Sequence, residues 1–298
     1  MAGRGQAKMA AVQAAWPMED GNRDDLADAT QPRILQPGWF SPNADPILLA
    51  SAGIKTAGGG PHQSKTMMLA ELSAVLAGGH GESPTNAVMA ENLLGKPSLR
   101  AREAALYRLR QFYGIGLIDP ICLALRRLWS RDPDAQATLA LICALARDPS
   151  FRDGAPAVLD ATIGEKVRWP AIAACFEALN PGRLGDRMAK SLAQNVASSW
   201  TQAGFLKGAI RKERVRPMAT PVTAAYAALI ASMCGFGGAR LLASRWMDVL
   251  DRPIEDRIGL LRQAEGLGLL RVRSAGDVLE IDVRRPMAEM LGVPELGG

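Results

Sequence analysis

Leu270-Arg271-Val272-Arg273 and Val278-Leu279-Glu280-Ile281-Asp282-Val283 alternate apolar and polar residues, and Ser274-Ala275-Gly276-Asp277 joins them. Period-two runs on either side of a short Gly/Asp turn predict a β-hairpin. Upstream, Gly266-Leu267-Gly268 closes a helical run that opens at Asp251-Arg252-Pro253 and turns Ile254, Ile258 and Leu261 inward. Before that, residues 239–250 carry Leu242, Trp246, Val249 and Leu250 on one side. Thr220-Pro221 is a good helix start for a face made of Val222, Tyr226, Leu229, Ile230 and Met233. Three helices followed by a two-stranded ribbon is the element order of a winged helix-turn-helix. Residues 219–290 are therefore expected to form a winged-helix-like domain, with 291–298 as a tail.

The rest of the chain reads as helix. Met68, Leu69, Leu72, Val75 and Leu76 recur at helical spacing. Ser98 opens the clearest helix, with Leu99, Leu106, Leu109 and Tyr113 on one stripe and Gly114 as its stop. Further helices are expected at 119–131, 134–147, 155–163, 169–179 and 184–201, and nothing between 65 and 201 alternates like a strand. The fold class is thus mainly α: an N-terminal helical bundle domain over 46–203 and a C-terminal winged helix-turn-helix-like module with a small β-hairpin. Residues 1–45 mix Gly, Ala, Asp, Asn and Pro without a sustained period and read as a disordered leader.

Between the two blocks lies Gly204-Phe205-Leu206-Lys207-Gly208-Ala209-Ile210-Arg211-Lys212-Glu213-Arg214-Val215-Arg216, with five positive side chains against one negative. Read as a basic connector over 204–218, this segment faces anions, and nucleic acid is the leading candidate. A solvated linker explains the same residues. Lys207, Arg211, Lys212, Arg214 and Arg216 are the expected phosphate contacts. In the C-terminal module the third helix would enter a groove, offering Arg257, Arg262 and Gln263, while Glu255 and Asp256 near its start would repel phosphate. On the hairpin, Arg271 is expected opposite Glu280 as a cross-strand pair. Arg273, nearer the tip, is freer for DNA. The arginines of 96–131 are mostly ordinary solvated helix faces, of which one or two extend a positive surface.

Other function classes fit less well. The chain has 298 residues, 48% apolar and 22% charged, with a net charge of +5, so a sizeable core is feasible. Cys122, Cys143, Cys175 and Cys234 lie far apart in apolar stretches, without zinc or redox spacing, and read as reduced thiols of a cytoplasmic protein. The uncharged run 218–239 holds a continuous helix of only about fifteen residues, short for a bilayer. Gly59-Gly60-Pro61-His62-Gln63-Ser64-Lys65-Thr66 looks like a Walker A loop, but Ser64 replaces the last glycine and Pro61 removes an amide donor. It reads as a flexible helix entry. Neither His62 nor His80 falls in a sensible triad, and no carboxylate pair, G-x-S-x-G or metal-ligand set stands out. No catalytic residue, metal, cofactor or membrane partner is expected.

Glu91-Asn92-Leu93-Leu94-Gly95-Lys96-Pro97-Ser98-Leu99-Arg100-Ala101-Arg102, running into Leu109-Arg110-Gln111-Phe112-Tyr113, resembles the BrxA family, small helical components of BREX (bacteriophage exclusion) defence systems. Ser51-Ala52-Gly53-Ile54 before the first helix, and Trp200 with Gly204-Phe205-Leu206-Lys207-Gly208 before the basic run, follow the same order. The likeness spans roughly residues 48 to 285, and its sharpest motif is the Asn-Leu-Leu-x-Lys-x-Ser segment. It implies a non-catalytic protein of two mainly helical parts that binds double-stranded DNA, encoded beside a methyltransferase, an alkaline-phosphatase-like protein and a large ATPase. Its folds would be similar to antitermination factors and to integrase DNA-binding modules. The long leader departs from the family's compact start. The runner-up reading is a protein-interaction adaptor within the same complex.

Overall fold

In the computed structural model, which describes residues 36–77, 83–276 and 278–297, many helices begin at a proline or at a capping side chain such as Ser98 or Thr220. The first ten are α1 (Pro46–Ala52), α2 (Leu69–Ala77), α3 (Pro84–Met89), α4 (Leu99–Tyr113), α5 (Pro120–Trp129), α6 (Gln136–Arg147), α7 (Pro149–Asp153), α8 (Pro156–Leu159), α9 (Trp169–Leu179) and α10 (Asp186–Gln202). Ser98 accepts from Ala101 N–H at 3.2 Å to start α4, and Gly114 closes it at φ +60°, a conformation that glycine adopts without steric cost. The C-terminal block holds α11 (Pro221–Met233), α12 (Gly238–Leu242), α13 (Arg245–Asp248), α14 (Ile254–Gly266) and α15 (Arg284–Leu291). Thr220 and Thr223 form a reciprocal capping box at the head of α11.

The strands are few. β1 (Lys166–Val167), β3 (Lys212–Arg214) and β2 (Leu206–Lys207) form a small antiparallel sheet in that order, and β4 (Arg271–Ala275) pairs with β5 (Val278–Asp282). The segment read as a basic connector is thus mostly a hairpin. It is stitched to a strand inside the block expected to be free of strands. Two-residue strands are too short to betray themselves by alternation, and here backbone pairing supplies the order that the side-chain pattern does not.

Residues 46–203 and 219–290 also do not stand apart. The described residues form one compact unit, with buried residues of both blocks in a single core. The reason lies in α11, where every residue from Val222 to Ile230 is buried. A helix apolar on all sides cannot rest on a surface. α11 is enclosed by α5, α6, α13 and α14, which draws the two blocks together.

Both ends of the described chain are anchored. Residues 1–35 of the expected leader lie outside the described residues, but 36–45 belong to the core: Trp39 packs edge-on against Trp246 at 4.7 Å and accepts its indole N–H at 2.7 Å. The expected tail is held as well, since Leu296 is buried and its carbonyl accepts from Arg284 Nε at 2.9 Å. The helix expected over 239–250 breaks in two at Ser244, a buried hydroxyl that donates to Leu241 O at 2.7 Å. The β4–β5 register differs by two residues from expectation. Ala275 pairs with Val278, so Arg271 faces Asp282 and Arg273 faces Glu280. Gly276 at φ +55° shortens the turn, so Ser274 and Ala275 join β4, and a shift of two residues leaves the faces of both strands unexchanged.

Candidate nucleic-acid interface

The five cations of 204–216 meet different fates. Arg214 is fully buried: its Nε donates to Val158 O at 2.9 Å, and its guanidinium reaches Asp251 Oδ1 at 3.2 Å and lies over Phe205. Burial draws its pKa below the ordinary arginine value, against the pull of Asp251. Arg216 approaches the other oxygen of Asp251 at 3.6 Å, and Lys207 pairs across the strand with Glu213 at 2.8 Å. Lys212 Nζ donates to Thr201 Oγ1 at 2.8 Å, and partial burial lowers its pKa. Arg211 alone of the five is exposed without an ion pair among the described residues. A folded hairpin whose cations are mostly held by Glu213, Thr201 and the distant Asp251 therefore replaces the expected row of free phosphate contacts.

Arg257 is likewise a tie within the protein. Its guanidinium donates to Arg252 O at 2.7 Å, to Leu242 O at 2.7 Å and to Asp248 Oδ1 at 2.9 Å, which clamps α14 to the α12–α13 segment. Arg262 is exposed on α14, but Glu255, Asp256 and Glu265 are exposed there too. The helix expected to enter a groove presents more negative than positive charge.

The β4–β5 side is different. A cleft of about 290 Å3 opens between the β4–β5 hairpin and the start of α15. Arg271, Arg273, Arg284 and Arg285 line it, against the carboxylates of Glu280 and Asp282. Arg273 approaches Glu280 at 3.9 Å with both side chains largely exposed, so the expected cross-strand pair exists with Arg273, not Arg271, as its cation. Arg271 and Arg285 are exposed and carry no ion pair among the described residues. Of these arginines only Arg273 was an expected DNA contact. Arg284 and Arg285 follow the alternating run directly, and that adjacency was their only mark in the sequence.

The core holds an arrangement that sequence spacing hid. His62 Nδ1 lies 2.7 Å from Asp148 Oδ2, and Nε2 lies 2.9 Å from Ser199 Oγ. Three segments 86 and 137 residues apart thus supply the order of a Ser-His-Asp relay, correcting the expectation that neither histidine meets such partners. His80 lies outside the described residues. All three side chains are completely buried. Ser199 Oγ also accepts from Met67 N–H at 2.9 Å and donates to Asn195 O at 3.0 Å, while Phe151 stacks on the imidazole at 4.0 Å. Burial pushes the Asp148 carboxyl up, but the side-chain and backbone hydrogen bonds of His62 outweigh it and leave the pKa below the usual value. The group clasps the 59–67 segment to α7 and α10. The Ser199 hydroxyl is closed off from solvent.

The glycine-rich run belongs to this clasp. Gly60 sits so close to Asp148 that a Cβ would overlap the carboxylate. The backbone N–H of His62 donates to Asp148 Oδ2 at 3.0 Å, and those of Gln63, Ser64 and Lys65 bond within the turn. The amides that a phosphate loop would offer are occupied.

Among the described residues no cluster of three or more His, Cys, Asp or Glu is arranged to hold a metal, and no helix is long and apolar enough to cross a membrane. Comparison with protein-family models, curated proteins and solved structures found no match.

Proposed function

We propose that the protein is a non-catalytic double-stranded DNA-binding accessory factor of a BREX-type anti-phage defence system, acting in the cytoplasm and directed mainly at phosphate. The observation that carries the reading is the wing-side cleft, where four arginines face two carboxylates. Guanidinium groups bind phosphate oxygens in pairs, and such contacts position a duplex without reading its sequence. The order α11, α12–α13, α14 and hairpin is that of a winged module, which in this reading docks by its wing. The acidic face of α14 disfavours insertion into a groove, so sequence preference is weak. The placement in a defence system, beside a methyltransferase, a phosphatase-like protein and a large ATPase, rests on the resemblance carried by Glu91 to Arg102.

The test is fluorescence anisotropy with two unrelated 20-base-pair duplexes. Four phosphate contacts predict roughly a hundredfold loss of affinity between 50 and 200 mM salt. Replacing Arg271, Arg273 and Arg285 together by glutamine should weaken both duplexes alike and flatten the salt dependence by about one unit of slope per contact. Unchanged binding in that variant refutes the assignment. One observation favours the adaptor reading: Trp169, Leu179 and Met188 leave 37%, 49% and 52% of their surface exposed on neighbouring helices α9 and α10. A wild-type protein that binds neither duplex would select it.

A further inference from the structure

We infer that a second cleft, between α5 and α15, binds a nucleotide unit, its phosphate on arginine and its base against apolar side chains. The cleft has a volume of about 590 Å3 and is lined by Leu123, Arg126, Arg127, Ser130, Arg131 and Met290. The first five recur at i, i+3, i+4, i+7 and i+8, the spacing of one helix face. The opposite face of α5, with Ile121, Cys122, Leu125, Leu128 and Trp129, is buried. A stripe of that spacing in a helical protein is ordinarily apolar and covered. Here it is open and carries three arginines.

These cations are not neutralised from within. Arg126 Nη2 donates to Leu117 O at 2.7 Å, which fixes its guanidinium at the cleft while leaving its other N–H groups unpaired. Arg127 and Arg131 are exposed, and none of the three has an ion pair among the described residues. Asp132 follows Arg131 directly, but its carboxylate caps Asp134 N–H at 3.0 Å. Glu289 is exposed on α15 without lining the cleft. Arg131 stands in the turn just past the end of α5, four residues from Arg127, and the two like charges repel at a modest cost. The negative end of the α5 dipole offsets that cost, since it favours cations at this terminus, but it does not saturate three planar guanidinium groups.

The shape narrows the ligand. A bare phosphate would fill a minor part of a cleft this size, whereas small-molecule sites span roughly 300–1,000 Å3. Leu123 and Met290 come from different helices and give the cleft apolar surface on both sides. Methionine adapts to a flat ring, and guanidinium planes stack on bases. An anion joined to a flat apolar body is the chemistry of a nucleotide, free or as an unpaired unit of a strand. This inference uses none of the wing arginines and stands independently of duplex binding.

Titration calorimetry on the full chain tests it with dAMP, deoxyadenosine, inorganic phosphate and a short 5′-phosphorylated single strand of deoxyadenylate. The expected result is that dAMP or the strand binds at least tenfold tighter than phosphate and deoxyadenosine. R127Q/R131Q should lose at least tenfold, and M290A should weaken the nucleotide but not phosphate. Binding of dAMP identifies a free nucleotide; binding of the strand alone identifies a nucleotide within a chain. Should R127Q/R131Q fail to fold by circular dichroism, R127K/R131K, which keeps charge but loses the paired N–H geometry, must weaken binding several-fold. Phosphate binding as tight as dAMP, no binding of dAMP or the strand, or undiminished affinity in the arginine or methionine variants overturns the inference.

Discussion

The two arginine-bearing hairpins, β2–β3 and β4–β5, have opposite relations to solvent. In the first, Arg214 is buried on Asp251, Arg216 approaches the same carboxylate, Lys207 holds Glu213 and Lys212 holds Thr201. In the second, Arg271 and Arg273 are exposed at a cleft to which α15 adds Arg284 and Arg285. Only the first hairpin carries a surplus of positive charge, yet the second leaves more guanidinium free. What decides is the partner brought by tertiary folding. Asp251 lies 37 residues beyond Arg214 in the chain and sits at φ +50°, a left-handed conformation that aspartate tolerates better than most residues.

The largest effect should come from Arg214. Replacing Arg214 by methionine keeps much of the volume but leaves Asp251 with only the 3.6 Å approach of Arg216. It should cost about 3 kcal/mol in urea denaturation, at the low end for a broken buried pair because Asp251 retains that neighbour. Adding Asp251→Asn, which suits the left-handed backbone, should recover part of the loss. DNA affinity of the folded protein should not move. An Arg214→Met protein with unchanged stability and weakened DNA binding would erase the contrast between the hairpins.

Next in size, Arg257→Ala should lower stability by about 2 kcal/mol, because three interactions joining α14 to its neighbours are lost together. Relaxed base preference with intact stability would instead restore α14 as the helix that reads DNA. Smallest of all, exchanging Lys207 and Arg211 for glutamine should change duplex affinity less than twofold, while neutralising Arg271, Arg273 and Arg285 costs on the order of tenfold or more. Equal losses would mean that both hairpins touch phosphate and would sharpen the comparison into a shared surface.

Much of the helical framework was legible because its signals are local. The Ser98 cap and Gly114 stop of α4, and the Thr220-Pro221 start of α11, act within a turn of the chain, and the period-two runs around Gly276 announce β4–β5. The short helix α7 was read as a loop because Asp148-Pro149 is a turn signal as well as an N-cap. β1 escaped because two residues have no period. Arg126, Arg127 and Arg131 were visible as charge, but nothing local reveals that Met290 closes a cleft over them.

Amino-acid order by itself determined where many of the helices start and stop, where the chain doubles back as the β4–β5 hairpin, and how many cations each segment carries, since capping, hydrophobic period and turn geometry all act over a few residues. Which cations remain free, that α11 unites the two blocks in one core, and that Ser199, His62 and Asp148 meet were decided only by tertiary structure. A buried charge or hydroxyl takes whichever partner packing brings within about 3 Å, and sequence distance carries no record of that encounter.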